Sequence, residues 1–140
     1  MRLYSVAVTS LAVQAPLKWT DNLLSHHDLQ GVQGKTRGVA RGVSWKARVH
    51  IALVRELHVR LGCAVRDAVS FASSILESPA SALEAGPHLM ISFDRARFEH
   101  DLHRRLSEAL EIAPRPRRGR PVQRKSSNAR PADSERSGAA

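Results

Sequence analysis

Apolar side chains return every three or four positions along most of the first 112 residues, a period that predicts helices. The clearest run is Phe98, Leu102, Leu106 and Leu110, an i, i+4 stripe on a helix capped by Asp94 and reaching about Ile112. A second run, Ala47, Ile51, Val54, Leu57 and Leu61, begins behind Ser44, a good N-cap, and stops at Gly62. Another helix spans roughly Val65 to Leu76, with Val69, Ala72 and Leu76 on one face, and the loop Ser78 to Pro87 ends it. Two shorter helices come first. One runs from Ser5 to Val13 with Val6, Leu11 and Ala12 inward; the other runs from Leu17 to Ser25 with Trp19 and Leu23 on its buried side. Pro16 suits the first turn of the latter, where its missing N–H costs nothing.

The period changes in three places. Gly31, Gly34, Gly38 and Gly42 punctuate the stretch from Asp28 to Val43, whose Val32, Val39 and Val43 favour strands, and a β-hairpin turning around Gly34 to Gly38 is predicted. From His88 to Phe93, Leu89, Ile91 and Phe93 alternate with His88, Met90 and Ser92, a strand pattern. Beyond Pro114 almost no apolar side chain remains to offset ordering entropy, so residues 113–140 are expected to be disordered. The fold class is therefore mainly α with a small β-hairpin. Residues 1–77 form its first domain, 78–112 a strand–helix extension, and 113–140 a basic tail.

Charge changes the picture more than composition does. The chain carries 22 Lys and Arg against 13 Asp and Glu, a formal charge of +9. Eight basic and two acidic residues fall in 113–140, and residues 34–50 hold Lys35, Arg37, Arg41, Lys46 and Arg48 with no acid. Clustered cations of this kind favour a polyanion, because binding releases its condensed counterions. Double-stranded DNA is the expected partner. The single cysteine, Cys63, excludes an intramolecular disulfide and fits a reducing cytoplasm. No membrane span and no secretory leader are read, and a cytoplasmic, nucleoid-associated protein is expected.

The order helix, turn, helix, Gly-rich basic hairpin, long helix, Gly, shorter helix resembles the winged helix-turn-helix domain of MerR-type regulators over roughly residues 3–76. The likeness is greatest where Arg41, Gly42, Val43, Ser44 and Trp45 enter the long helix, Arg60, Leu61 and Gly62 close it, and Val65, Asp67 and Ala68 open the next. The family's basic, doubly aromatic stretch on the second helix is replaced by Lys18, Trp19, Thr20, Asp21 and Asn22, and the hairpin lacks its usual tyrosines. The resemblance implies a bacterial transcription regulator whose second helix reads bases and whose hairpin, the wing, holds phosphates.

Candidate contacts follow from residue type and place. Lys18, Asn22 and Ser25 share the face of the second helix opposite Trp19 and Leu23, where Asn suits adenine and Lys suits guanine in the major groove. Lys35, Arg37 and Arg41 stand in the hairpin, where glycines let the backbone approach a groove, and Arg48 at the start of the long helix is expected to add a contact. In the tail, Pro116, Arg117, Arg118, Gly119, Arg120 and Pro121 resemble an AT-hook, whose Gly-Arg-Pro core lies in a narrow A·T minor groove. The stripe Phe98, Leu102, Leu106 and Leu110 fits a homodimer interface and a core equally well.

No catalytic motif is present: Gly34, Lys35 and Thr36 lack the upstream glycine of a phosphate loop, and no nucleophile has a recognisable base. His100 with His103, and His26 and His27 with Cys63, do not make a four-ligand metal motif. The reading excludes an enzyme, a metal and a cofactor, and identifies no small-molecule effector. An antitoxin-like or adaptor module docking through Phe98 to Leu110 is the alternative, and an RNA-binding protein using its basic tail is the third.

Overall fold

The computed structural model describes residues 2–34 and 39–113. Ten elements follow one another: β1 (Tyr4–Ser5), α1 (Val6–Ala12), α2 (Leu17–His26), β2 (Val32–Gln33), β3 (Gly42–Val43), α3 (Trp45–Leu61), α4 (Val65–Glu77), β4 (Ala82–Gly86), β5 (Leu89–Ser92) and α5 (Arg95–Ile112). The fold is mainly helical with two small antiparallel sheets.

Side-chain caps open three of the helices. Ser5 Oγ accepts the Val8 N–H at 3.2 Å, Ser44 Oγ accepts that of Ala47 at 3.3 Å, and Asp94 Oδ1 accepts that of Arg97 at 3.1 Å. Each satisfies a donor that the first helical turn leaves without a partner. Gly62 ends α3 in the left-handed region, as a C-terminal glycine does when a side chain there would be strained.

Between α1 and α2 the same role falls to Gln14, with φ of 56°. Ala15 N–H donates to Ser10 O at 3.0 Å and Gln14 N–H to Leu11 O at 3.2 Å, the paired bonds of a Schellman turn. Pro16 then serves as the N-cap of α2 rather than as its first helical residue.

Strand β3 lies in the middle of the first sheet, with Tyr4 of β1 and Val32 of β2 both opposite Val43, which is fully buried. β1 was not foreseen: Ser5 closes a strand and caps a helix at once. Gly31, before β2, has φ of 89°, and a Cβ there would lie 2.1 Å from the buried Ser44 Oγ, so only glycine fits beneath the α3 cap.

The second sheet corrects the expectation of a loop from Ser78 to Pro87. Ala82, Leu83, Glu84 and Gly86 pair with Ser92, Ile91, Met90 and Leu89, with an irregularity between Glu84 and Gly86. A local helical preference in Ala82, Leu83 and Glu84 loses here to pairing with a strand further along the chain. Leu83 and Ile91 pack on the core, whereas Leu89 and Met90 are exposed.

One buried cluster runs through all five helices, from Val8 on α1 to Ala109 on α5. Helix α3 is its axis, contributing Ala47, Val49, Ile51, Ala52, Leu53, Val54 and Leu57. Ala68, Ala72 and Ile75 face it from α4. Helix α5 lies along α1 and also touches α3, burying Leu102, Leu106 and Ala109. Full burial of an aliphatic side chain of this size stabilises by about 1.5–3 kcal/mol. Leu11 and Leu61, expected inside, are exposed, as is Leu110; Leu61 and Leu110 fall near the ends of their helices, whereas Leu11 lies on the face of α1 away from the buried Val8, Thr9 and Ala12.

Candidate nucleic-acid interface

Helix α2 turns Thr20, Leu23 and Leu24 into the core and leaves Lys18, Asn22 and Ser25 exposed together on the outer face. Trp19 is half-buried and faces α3, where the His58 ring stacks on it at 6.2 Å and the Arg55 guanidinium lies 4.9 Å from its centre. The division of α2 into a packed face and a polar face therefore follows its sequence period.

The hairpin β2–β3 is tied to that polar face by Arg41. Its Nη1 donates to Asp21 Oδ1 at 3.0 Å and to Asp21 O at 3.3 Å, and its Nη2 donates to Ser25 Oγ at 3.1 Å. Ser25 Oγ in turn donates to Asp21 O at 2.8 Å. Two of the expected contacts, Arg41 and Ser25, are thus bonded to each other, and the charge of Arg41 is opposed by Asp21. Nothing local signals this clasp, since Arg41 and Asp21 are 20 residues apart. On the neighbouring loop Lys46 Nζ donates to Gln30 Oε1 at 2.9 Å.

Lys35, Arg37, Arg117, Arg118 and Arg120, all expected contacts, lie outside the described residues.

Arg48 is corrected. It was expected to reach phosphate, but it has no exposed surface. Its guanidinium lies 4.3 Å over the Tyr4 ring and 6.0 Å from that of Trp45, and Nη2 donates to Val43 O at 3.3 Å. Nε and Nη1 have no hydrogen-bond partner among the described residues. Burial, partly offset by Tyr4, lowers its pKa to about 10, which leaves it protonated at neutral pH. Helical period could have revealed this, because Arg48 lies three and four positions before Ile51 and Ala52, both buried.

The expected partner stripe on α5 is largely used within the chain. Leu102 and Leu106 are buried against the protein's own helices, Phe98 is half-buried with its ring edge-on to Phe93 at 5.4 Å, and Leu110 alone is exposed. Of the histidines weighed as ligands, His103 stacks on Trp45 at 3.8 Å. Among the described residues no group of three or more His, Cys, Asp or Glu is placed to hold a metal ion. Nor is any described helix long and apolar enough to cross a membrane.

No family model matches the sequence, and the searches of curated proteins and of solved structures found no match. What the chain can do is therefore argued from its own surface. The outer face of α2 offers an ammonium at Lys18, an amide at Asn22 and a hydroxyl at Ser25, and Arg41 fixes the adjoining hairpin to it. Donors and acceptors on a rigid helix beside a basic hairpin suit a groove walled by phosphates.

Proposed function

We propose that the protein is a winged helix-turn-helix DNA-binding regulator of the bacterial, nucleoid-associated kind. Helix α2 reads base edges through Lys18 and Asn22, the β2–β3 hairpin contacts backbone phosphates through Lys35 and Arg37, and the basic tail adds affinity through Arg117, Arg118 and Arg120. The observation that carries the reading is the clasp of Arg41 on Asp21 and Ser25, which joins hairpin and helix into one surface. The Schellman turn between α1 and α2 and the pairing of β1 with β3 support it further. Tethering a weak tail site to such a surface raises its effective concentration at the same DNA.

The alternative, a module that docks a partner through Phe98 to Leu110, is less supported because Leu102 and Leu106 are already buried in the chain. A homodimer through the same stripe meets the same obstacle.

The test is binding of duplex DNA, over a salt series, by the full chain and by a form ending at residue 113. The truncated form should retain binding with a shallower salt slope. Lys18→Ala with Asn22→Ala should relax sequence preference, while Lys35→Ala with Arg37→Ala should weaken all duplexes alike. Loss of all binding on truncation would leave the tail as the reader and refute the assignment to α2 and the hairpin.

A further inference from the structure

Away from the proposed interface, a cleft of about 500 Å³ opens between the start of α3, the end of α4 and the start of α5. That volume lies within the usual range for small-molecule sites. One wall is apolar, formed by Trp45, Val49 and Leu76; the remainder is polar. Most of its charges are already matched. Arg95 pairs with Glu99 at 3.2 Å and donates to Leu76 O at 3.2 Å, and Asp28 at the rim is also engaged.

Two charges stand apart. Lys46 lines the cleft from α3, and its hydrogen-bond partner, Gln30, is neutral. Glu77 lines it from α4 and forms no ion pair among the described residues. His50, also in the lining, touches Val69 O and Ser73 Oγ, both at 3.3 Å. A carbonyl only accepts, so His50 Nε2 carries a proton, and burial holds the ring neutral by lowering its pKa. The cleft thus presents, on different helices and beside an apolar wall, a cation whose hydrogen-bond partner is neutral and an anion that forms no ion pair among the described residues, although Glu77 acts electrostatically on His50.

We infer that this cleft binds a small zwitterion with an apolar body, of the class of the neutral α-amino acids. The ligand's carboxylate meets Lys46, its ammonium meets Glu77, and its side chain lies against Val49, Leu76 and the edge of Trp45. A pure amine or a pure acid answers only one of the two charges and forgoes the contact with the other. Taking Lys46 from Gln30 would also loosen the loop that enters β2, which gives occupancy a route to the hairpin. That route depends on the DNA-binding reading. The binding itself does not, and its assay contains no nucleic acid.

The experiment is calorimetric titration of the full chain with each of the neutral L-amino acids. It also uses, for leucine, the amine lacking the carboxylate (3-methylbutylamine) and the acid lacking the ammonium (4-methylpentanoate). At least one apolar amino acid should bind, and for leucine both halved analogues should bind at least tenfold more weakly. Lys46→Gln and Glu77→Gln, both at exposed positions, should each weaken the amino acid by at least tenfold. No binding by any amino acid, or equal binding by leucine and either analogue, would overturn the proposal without recourse to variants. Unchanged affinity in both variants would overturn it as well.

Discussion

Replacing Arg48 by methionine keeps a long, flexible side chain in the core and removes a charge that has no acidic partner among the described residues. The depression of the Arg48 pKa from its ordinary value to about 10 corresponds to about 3 kcal/mol of disfavour for the charged form in the folded protein. Against this stand the long bond to Val43 O, worth about 1.5 kcal/mol as a charge-assisted contact, and the stacking over Tyr4, worth about 1 kcal/mol. The difference favours methionine by about 0.5 kcal/mol, or about 2 °C in Tm for a domain of this size. Alanine, which leaves a cavity, should instead cost about 2–4 kcal/mol.

The pH dependence has a definite sign. Between pH 9 and 11 the unfolded chain holds the Arg48 proton more firmly than the folded one. Stability of the parent therefore rises with pH, by about 0.7 kcal/mol per unit near pH 10, relative to the methionine variant. Urea unfolding at pH 7 and pH 10 measures both effects. DNA affinity and its salt slope should be unchanged, since a buried guanidinium touches no phosphate. A methionine variant less stable than the parent by 1 kcal/mol or more would refute the account of Arg48 as a strained charge. A salt slope reduced by about 0.9 would return it to the interface.

Gln14→Gly should stabilise the fold by about 0.5 kcal/mol, because relief of a left-handed φ outweighs the entropy glycine adds to the unfolded chain; a lower urea midpoint would contradict this. Asp21→Asn releases Arg41 from its counter-charge and should tighten duplex binding while steepening the salt slope by up to about 0.9, at a stability cost below about 1 kcal/mol; unchanged affinity would show that Arg41 contributes no charge to the duplex. His50 has a pKa lowered first by burial, with the Val69 carbonyl and Glu77 opposing, so the unfolded chain takes up its proton more readily. Stability should therefore fall as pH drops below about 6.5. A His50→Gln variant should lose part of that slope in urea unfolding between pH 5 and 7.5, and an identical slope would exclude the assignment.

Local signals were legible in the sequence where the physics is local. Ser44, Gly62 and Asp94 mark helix ends because each cap closes within three to five residues. The stripes on α3, α4 and α5 reveal their buried faces, although the buried set on α4 centres on Ala68, Ala72 and Ile75 rather than on Val69 and Leu76. What escaped depends on partners outside the segment itself. β4 exists through pairing with β5, and β1 through its place beside β3. At the candidate site, the polar face of α2 was legible from its period, but the Arg41 clasp joins two segments that nothing in either segment links. Arg48 was legible and misread: the charge of its neighbourhood was given more weight than its place on the buried face of α3.

The packing of α5 along α1 bears on modularity. The first helix of the proposed reading head is covered by the last described helix of the chain, so Val8 and Ala12 share a core with Leu102, Leu106 and Ala109. A cut after α4 would bare that side of α1 and leave the Schellman turn anchored to a helix only seven residues long. The unit that could be transplanted onto another protein, exchanged between paralogues or tuned by selection as one piece is therefore the whole stretch from β1 to α5.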